Sequence, residues 1–361
     1  MKTIKIIITV VVVAIVVVAG ALAYEHFSGA SNNAAQNTLT PVTSINLVNN
    51  GSTTKINLSA ANSFVYAKDS KNGVFTIHGS LSRIVSLIPS VTVTLYALGS
   101  YQKDVKGVDQ YSTYPNPSNY DIPVLTIGVS SLPIEAIVNL SPDAIMTTTG
   151  YFTTQEISKV VNVLNIPYFV FNPESVPQIE NVNTILGELT GTAHNATIIN
   201  AWMETNLREL GNLTKKITNE TSIFYDLGHG SSGIYTAGNG TFINEMFQLD
   251  HIKNIINATG YPEVSRETVY NGTPGFVLID EYVNQSRFLK DFPNLTAVKD
   301  KNYTTVLNDS FIDEPTFRTI YALFWIGSVV YPNYINMTDI TGFNNYTHFD
   351  LSPAPHVGIY G

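Results

Sequence analysis

Residues 82–99 read SRIVSLIPSVTVTLYALG. Arg83-Ile-Val-Ser-Leu-Ile88 is a short apolar run stopped by Pro89-Ser90, which predicts a buried strand. Thr92–Leu98 reads as a helix closed by Gly99. A strand that turns directly into a helix is the opening unit of an α/β sheet. Downstream, strands are expected at Val105–Val108, Val124–Ile127, Ala144–Thr147 and Tyr168–Phe171. Helices are expected between them at Pro133–Asn139 and Thr154–Leu164. Upstream, Ser63–Ala67 and Val74–His78 read as a hairpin turning at Asp69–Gly73. Strands this short, alternating with helices, favour a parallel sheet covered on its faces.

Residues 177–219 form a long helical region loosened near Gly191. In Ala193–Ile217 the apolar residues Ile198, Trp202, Leu210, Leu213 and Ile217 recur at helical spacing. A helix of 25 residues spans about 37 Å, more than one βα unit needs, so it suits a link between two lobes. The alternation then restarts. Strands are expected at Ile223–Leu227, Phe276–Asp280 and from Val306, and helices at Phe242–Ile256, Ser286–Phe292 and Pro315–Tyr331. The expected plan is a tether at 27–43, an N-terminal lobe at 44–176, a linking region at 177–220, a C-terminal lobe at 221–332 and an aperiodic tail at 333–361.

The 361 residues carry 28 Asp+Glu and 19 Lys+Arg, a net charge of −9, which argues against a nucleic-acid binder. There is no cysteine, so disulfides, thiolate metal sites, Cys nucleophiles and lipidation on a Cys are all excluded. Charged residues make up only 13%, so polarity must come from the 35 Asn, 38 Thr and 27 Ser. Residues Ile6–Tyr24 are uncharged and follow Lys2 and Lys5. As a helix they rise about 28 Å, close to a bilayer core, with the basic end in the cytoplasm. Residues 1–26 therefore read as a signal anchor, although Ala21-Leu22-Ala23 also fits a signal-peptidase site. Fifteen Asn-X-Ser/Thr sequons occur, twelve of them from Asn195 onward, including Asn212, Asn219, Asn239, Asn257 and Asn271. That excess fits an exported, glycosylated protein at the cell surface, such as an archaeal one.

Gly228-His-Gly230-Ser-Ser-Gly233 matches G-x-G-x-x-G, but no helix start follows, so a dinucleotide site is not expected. The glycines suit tight turns or a close backbone approach. Of seven histidines no two share a helix face, and no metal site is expected. His229 stands apart because it follows a strand's C-terminal end, where open α/β sheets bind ligands. Tyr111, Tyr114, Tyr151, Phe152, Tyr261, Tyr282 and Phe311 lie in comparable loops and suit a large, partly flat ligand. No Ser/His/Asp order or paired carboxylates support catalysis, and no resident cofactor is expected.

An ordered series of segments carries a resemblance over residues 64–332. It comprises Ser82–Ser90 with Leu95-Tyr-Ala-Leu-Gly99, and Ile134-Glu-Ala-Ile-Val-Asn-Leu-Ser-Pro-Asp143. It continues with Tyr235–Ile243, Lys253-Asn-Ile255 and Val264-Ser-Arg-Glu-Thr-Val269, and ends with Phe317-Arg-Thr-Ile320, Trp325 and Tyr331-Pro332. The chain resembles the substrate-binding proteins of ABC importers for cobalamin, ferric siderophores and haem. The resemblance implies two Rossmann-like α/β lobes joined by a single long backbone helix, a ligand cleft between them, and delivery to a permease driven by ATPase subunits. It implies that Glu135 and Glu267 dock onto the permease, and that Tyr111, Tyr114, Tyr151, Tyr261, Phe311 and Arg318 lie in ligand-contacting loops. The chain departs from the family at Val93, where a glutamate is usual, and at Tyr261, Phe311 and Val129, where tryptophans are common. Haem would favour Tyr151, Tyr261 or His229 as iron ligand, and an anionic siderophore would need Arg266, Arg287 or Arg318. Many aromatics and little charge lean toward cobalamin. The alternative readings are a glycosylated surface or adhesion module without a transport role, and an anchored hydrolase.

Overall fold

The computed structural model describes residues 39–128, 131–230, 233–306 and 309–341. The expected anchor at 1–26, most of the tether, Val129, Leu307 and the end of the tail lie outside them. The chain divides into two compact units, one running to Met203 and the other starting at Glu204.

The first unit opens with β1 (Ser44–Asn49) and β2 (Ser52–Asn57), an antiparallel hairpin. The turn residues Asn50 and Gly51 have φ of 49° and 80°. That is the conformation in which a two-residue hairpin prefers Asn-Gly. β3 (Phe64–Tyr66) and β4 (Val74–His78) follow. They do not form the expected hairpin. β4 pairs in parallel with β1, whereas β3 pairs antiparallel with a strand far along the chain. Lys71 and Val74 bridge each other, so the Asp69–Gly73 turn folds back only on the start of β4. Val42 bridges Val65 and is buried, so the tether ends before residue 43.

The remaining strands are β5 (Ile84–Ser86), β6 (Val105–Asp109), β7 (Val124–Leu125), β8 (Ala144–Thr147) and β9 (Tyr168–Val170). With β3 they make a six-stranded sheet in the order β3-β9-β8-β5-β6-β7. All are parallel except β3 at the edge. β5, β8 and β9 are buried along their whole length, as strands covered on both faces must be. Helices α1 (Pro89–Ala97), α2 (Ile134–Asn139) and α3 (Thr154–Ser158) connect them. The expected helix over 154–164 changes to a π-helical turn at Lys159–Val163. α4 (Val176–Thr190) stops at Gly191, whose φ of 73° caps it, and α5 (Ala193–Thr214) follows. The helical region is thus two helices. The 22 residues of α5 span about 33 Å, and the division between the units falls within it.

The second unit holds β10 (Thr221–Asp226), then β11 (Gly228–His229) and β12 (Ile234–Tyr235). Helix α6 (Phe242–Leu249) is shorter than expected. His251 takes a φ of 59°, and the chain continues as β13 (Ile252–Asn254). β14 (Glu263–Val264), α7 (Arg266–Gly272), β15 (Phe276–Ile279), α8 (Gln285–Asp291), β16 (Tyr303–Thr305) and α9 (Thr319–Val330) complete the unit. The parallel sheet has the order β13-β10-β15-β16, and β11-β12-β14 form a small antiparallel sheet. The expected helix over 315–331 begins only at Thr319, and the third strand precedes Val306 rather than starting there. The beginning of the expected tail is packed: Ile335 is buried, and Thr341 exchanges hydrogen bonds with Asn206, N–H to Oδ1 at 2.8 Å and Nδ2–H to O at 3.2 Å.

Candidate functional site

In each unit the order of the main sheet reverses beside its first parallel strand, β5 or β10. In the first, the chain moves outward from β5 through β6 to β7, then returns to β8 on the other side. In the second, it passes from β10 to β13, then returns to β15. Such a reversal opens a crevice outside the strands' C-terminal ends. The expected ligand residues follow those ends. Tyr111 and Tyr114 come after β6, Tyr151 after β8, His229 after β10, Tyr261 after β13, and Phe311 after β16.

Their surroundings differ. Asp109, 1% exposed, ends β6 and accepts the Tyr111 N–H at 2.7 Å, the Ser112 N–H at 3.1 Å and the Ser112 hydroxyl at 2.9 Å. Burial pushes its carboxyl above the usual range, with the Ser112 hydrogen bond opposing. The Thr92 hydroxyl donates to Ser86 Oγ at 2.8 Å and lies 3.0 Å from Ser112 Oγ. This buried network fixes the loop that carries Tyr111. Tyr111 and Tyr151 are both half-buried against one apolar cluster that includes Leu87, Leu125 and Tyr168. Tyr114 belongs elsewhere: its ring meets Tyr96 edge-on at 5.8 Å, in a group with Tyr101 and Tyr120. Burial, with Tyr120 nearby, pushes the Tyr101 hydroxyl up to about 12.

In the second unit, Asp226 is fully buried. It accepts the Gly228 N–H at 3.0 Å on one oxygen and faces His229 Nε2 at 2.9 Å with the other. The Tyr225 hydroxyl lies between Asp280 Oδ2 at 3.1 Å and Asp313 Oδ1 at 3.3 Å. Arg318 is buried rather than presented to solvent. It bonds Glu314 at 3.2 Å, and its guanidinium lies 4.7 Å from the Phe311 ring centre, with Tyr321 edge-on to that ring. Arg318 and Phe311 are thus brought together, and Phe311 is itself buried. Tyr261 is half-buried in the loop before β14. The acids Asp109, Asp226, Asp280 and Asp313 were not singled out from the sequence; the only signal was that three of them end or directly follow apolar strands.

The glycine-rich loop is a hairpin. The Gly230 N–H bonds Gly233 O at 3.0 Å, and Glu263 accepts the Gly233 N–H at 2.6 Å. A Cβ on Gly233 would collide with the Val264 carbonyl, and one on Gly238 with that of Ala258. These glycines admit neighbouring backbone, not a nucleotide.

Glu135 and Glu267 occupy matching places. Each is exposed, at the second position of a short helix, α2 or α7. Each helix leads into the strand beside the first parallel strand of its main sheet, β8 beside β5 or β15 beside β10. A crossover helix runs back along its sheet, so it starts near the strands' C-terminal edge. Both glutamates therefore sit on the same edge as the ligand loops of their own unit. The Glu267 backbone N–H, then the Ser265 hydroxyl, hold its carboxyl below the usual range.

Two segments quoted separately above form one clasp. Asp143 accepts the N–H groups of Ser82 at 2.7 Å and Arg83 at 3.1 Å, and the Arg83 side chain bonds Ser141 O at 2.7 Å. It ties the starts of β5 and β8 together, away from the ligand edge.

Of the sequon residues, Asn212, Asn219, Asn257 and Asn271 are exposed. Asn195 is half-buried and its amide donates to Leu98 O at 2.8 Å, while the Asn239 amide donates to Asn257 O at 2.9 Å.

Two α/β units, each with a strand-order reversal and an aromatic and polar C-terminal edge, define a solute-binding class. Comparison with known proteins makes this particular: the chain belongs to the periplasmic binding protein family, whose sequence model matches residues 84–319. The family consists of substrate-binding proteins, non-enzymatic components of transport systems. An ABC transporter substrate-binding lipoprotein of Bacillus subtilis, YvrC, is 27% identical over 64% of this chain and 74% of its own length. A cobalamin-binding protein of Halobacterium salinarum is 27% identical over 58% of this chain, which spans 57% of that relative. Among solved structures, the vitamin B12 binding protein BtuF of Vibrio cholerae superimposes with a TM-score of 0.59 at 22% identity. That match covers 70% of this chain and 98% of its own. The haem-binding protein RhuT of Roseiflexus sp. RS-1 gives 0.62 at 20% identity, over 70% of this chain and 99% of its own. These likenesses show the mixed α/β fold and speak for solute binding rather than for an adhesion module.

Proposed function

We propose that the chain is the extracytoplasmic receptor of an ABC importer, binding a metal macrocycle through its ligand loops and passing it to the permease. The observation that carries this is the family match, because residues 84–319 embrace both strand-order reversals and their loops. Cobalamin is favoured over an anionic siderophore because the expected arginines are already matched by acids. Arg266 lies 2.9 Å from Asp291, Arg287 lies 3.8 Å from the same carboxylate, and Arg318 lies 3.2 Å from Glu314. An anionic cargo would have to compete for them. The proposed ligand set is Tyr111, Tyr151, His229 and Tyr261; Tyr114 is held back by its tyrosine group, and Phe311 and Arg318 are buried against each other behind these loops. Glu135 and Glu267 are the two docking points.

We also propose that residues 6–24 hold the protein on the membrane. The described residues contain no helix long and apolar enough to cross one, and no cysteine is present to carry a lipid as in a lipoprotein. Glycans are assigned to Asn212, Asn219, Asn257 and Asn271; Asn195 and Asn239 are poorer acceptors because their amides are engaged. Titration of the full chain with aquocobalamin, haemin and ferric hydroxamates, followed by visible absorbance, tests the cargo. Sub-micromolar binding of aquocobalamin is expected. Preference for a ferric hydroxamate would overturn the cobalt reading, and binding of none by folded protein would overturn the receptor reading for this cargo class.

A further inference from the structure

Resting on that receptor reading, we propose that Asn139 and Asn271 are a matched pair of N-glycan acceptors, and that a sugar at either site withholds the docking glutamate of its own unit from the permease. Both begin sequons, Asn139-Leu140-Ser141 and Asn271-Gly272-Thr273. Each lies four residues after a docking glutamate, Glu135 in α2 and Glu267 in α7. Residues four apart share a helix face, with Cβ atoms about 5–6 Å from each other. Midway between them Ile137 and Val269 are fully buried. The glutamate and the asparagine of each helix are all exposed, so they face outward together. The crossover helices run back from the ligand edge. Each asparagine therefore stands one turn behind its glutamate.

The turns that hold the two sequons are alike. The Ser141 N–H bonds Val138 O at 2.9 Å, and the Thr273 N–H bonds Tyr270 O at 3.2 Å. Ser141 has a φ of 46° and Thr273 a φ of 43°. That region suits Gly or Asn, and a β-branched residue there is an outlier. Most other non-glycine residues with positive φ among the described residues are Asn or Asp, and Ser141 and Thr273 alone carry a hydroxyl. The fold makes little use of those hydroxyls. That of Ser141 reaches Val138 O only at 3.5 Å, and Thr273 accepts from Ser222 through its carbonyl, not its side chain. A strained backbone kept for a hydroxyl that stabilises little points to a use for the hydroxyl, and the third residue of a sequon must carry one. No hydrogen bond holds the amide of Asn139 or Asn271 among the described residues, unlike those of Asn195 and Asn239. In the modification, Asn Nδ2 bonds to the anomeric carbon of a lipid-phosphate-linked oligosaccharide. The bond from that carbon to the phosphate oxygen breaks, the lipid phosphate leaves with the electron pair, and one Nδ2 proton passes to a base of the transferase. The sugar then fills the space that basic groups of the permease would enter to reach the glutamate.

The test compares the full chain from its natural host with Asn139→Gln, Asn271→Gln and the double variant. Mass spectrometry of the parent should find sugar at both asparagines. Docking is read by co-sedimentation with vesicles carrying the permease, and cargo binding by titration with cyanocobalamin. Blocking one of two docking points forfeits the gain of two-point attachment, so the double variant should dock about 100-fold more tightly than the fully glycosylated parent, with cargo affinity unchanged. Ser141→Gly with Thr273→Gly removes both sequons from the other end and relieves the left-handed backbone. It should dock like the double Gln variant and be no less stable than the parent. A bare Asn139 or Asn271 in the parent, or a glycosylated parent that docks as tightly as the double variant, overturns the gating and leaves the receptor reading standing. Docking of the sugar-free double variant that survives Glu135→Ala with Glu267→Ala overturns the docking points themselves, and the gating with them.

Discussion

Asp250 is the sharpest handle on stability. It caps the end of α6, its N–H donates to Met246 O at 3.0 Å, and its side chain is fully buried. Neither carboxylate oxygen has a hydrogen-bond partner among the described residues. The space around it is tight: a methyl on Gly327 would sit 3.3 Å from Oδ1. A charged carboxylate there would be desolvated without compensation, so burial pushes its pKa well above the usual value. The folded-state pKa is thus raised above the unfolded one. Such a group favours folding fully below about pH 3.9, and that contribution is lost as pH rises toward the folded pKa. Between the two values the folded state holds one more proton than the unfolded state. The slope is then about −1.4 kcal/mol of stability per pH unit. Asp250→Asn keeps the shape and removes the titration. Urea unfolding of both proteins from about pH 3 to about pH 7 should give curves that meet at the acid end. The parent should fall below the variant by about 1.4 kcal/mol for each further pH unit until Asp250 ionises. Buried Asp104 and Asp109 are shifted in the same direction in both proteins, so the difference isolates Asp250. Parallel curves, or a parent that gains on the variant as pH rises, would refute the reasoning.

Other outcomes follow from the same geometry. Glu135→Ala with Glu267→Ala should abolish uptake into vesicles carrying the permease while leaving cargo affinity unchanged; lost affinity would move these residues into the ligand site. Asp143→Ala removes the acceptor of two N–H groups at the clasp and should cost about 2 kcal/mol in unfolding, with cargo affinity untouched. Gly238→Ala presses a methyl into the Ala258 carbonyl and should destabilise by about 1–3 kcal/mol; an unchanged melting temperature would mean that the Ala258 backbone yields. Mass spectrometry of protein from its natural host should find glycans at Asn212 and Asn219 and none at Asn195. Occupied Asn195 would show that its bond to Leu98 O is not kept during export.

Much of the α/β order was legible because short apolar runs bounded by Pro, Gly and Ser mark parallel strands buried on both faces. β5, β8 and β15 lie within one or two residues of expectation. Errors arose where the chain changes direction without an apolar cue. The helix expected through Ile256 stops at Leu249 because His251 turns left-handed and β13 joins β10. The Asn50-Gly51 pair carries a hairpin signal, but β2 is mostly exposed and so offers no apolar run to mark it as a strand.

Sequence by itself determined the class of structure, the acidic and cysteine-free character, and the order of most strands and helices. Periodicity, composition and an ordered set of segments are local properties, and they survive in one dimension. Pairing was decided only in three. Phe64–Tyr66 and Val74–His78 sit a few residues apart yet join different sheets, because each goes where its buried face finds a partner. Asp226 became a partner for His229, Arg318 was drawn over Phe311, and Asp143 clasped residues sixty positions away. A strand end shows that a loop begins, but only the packed sheet decides which acid stands beside which base.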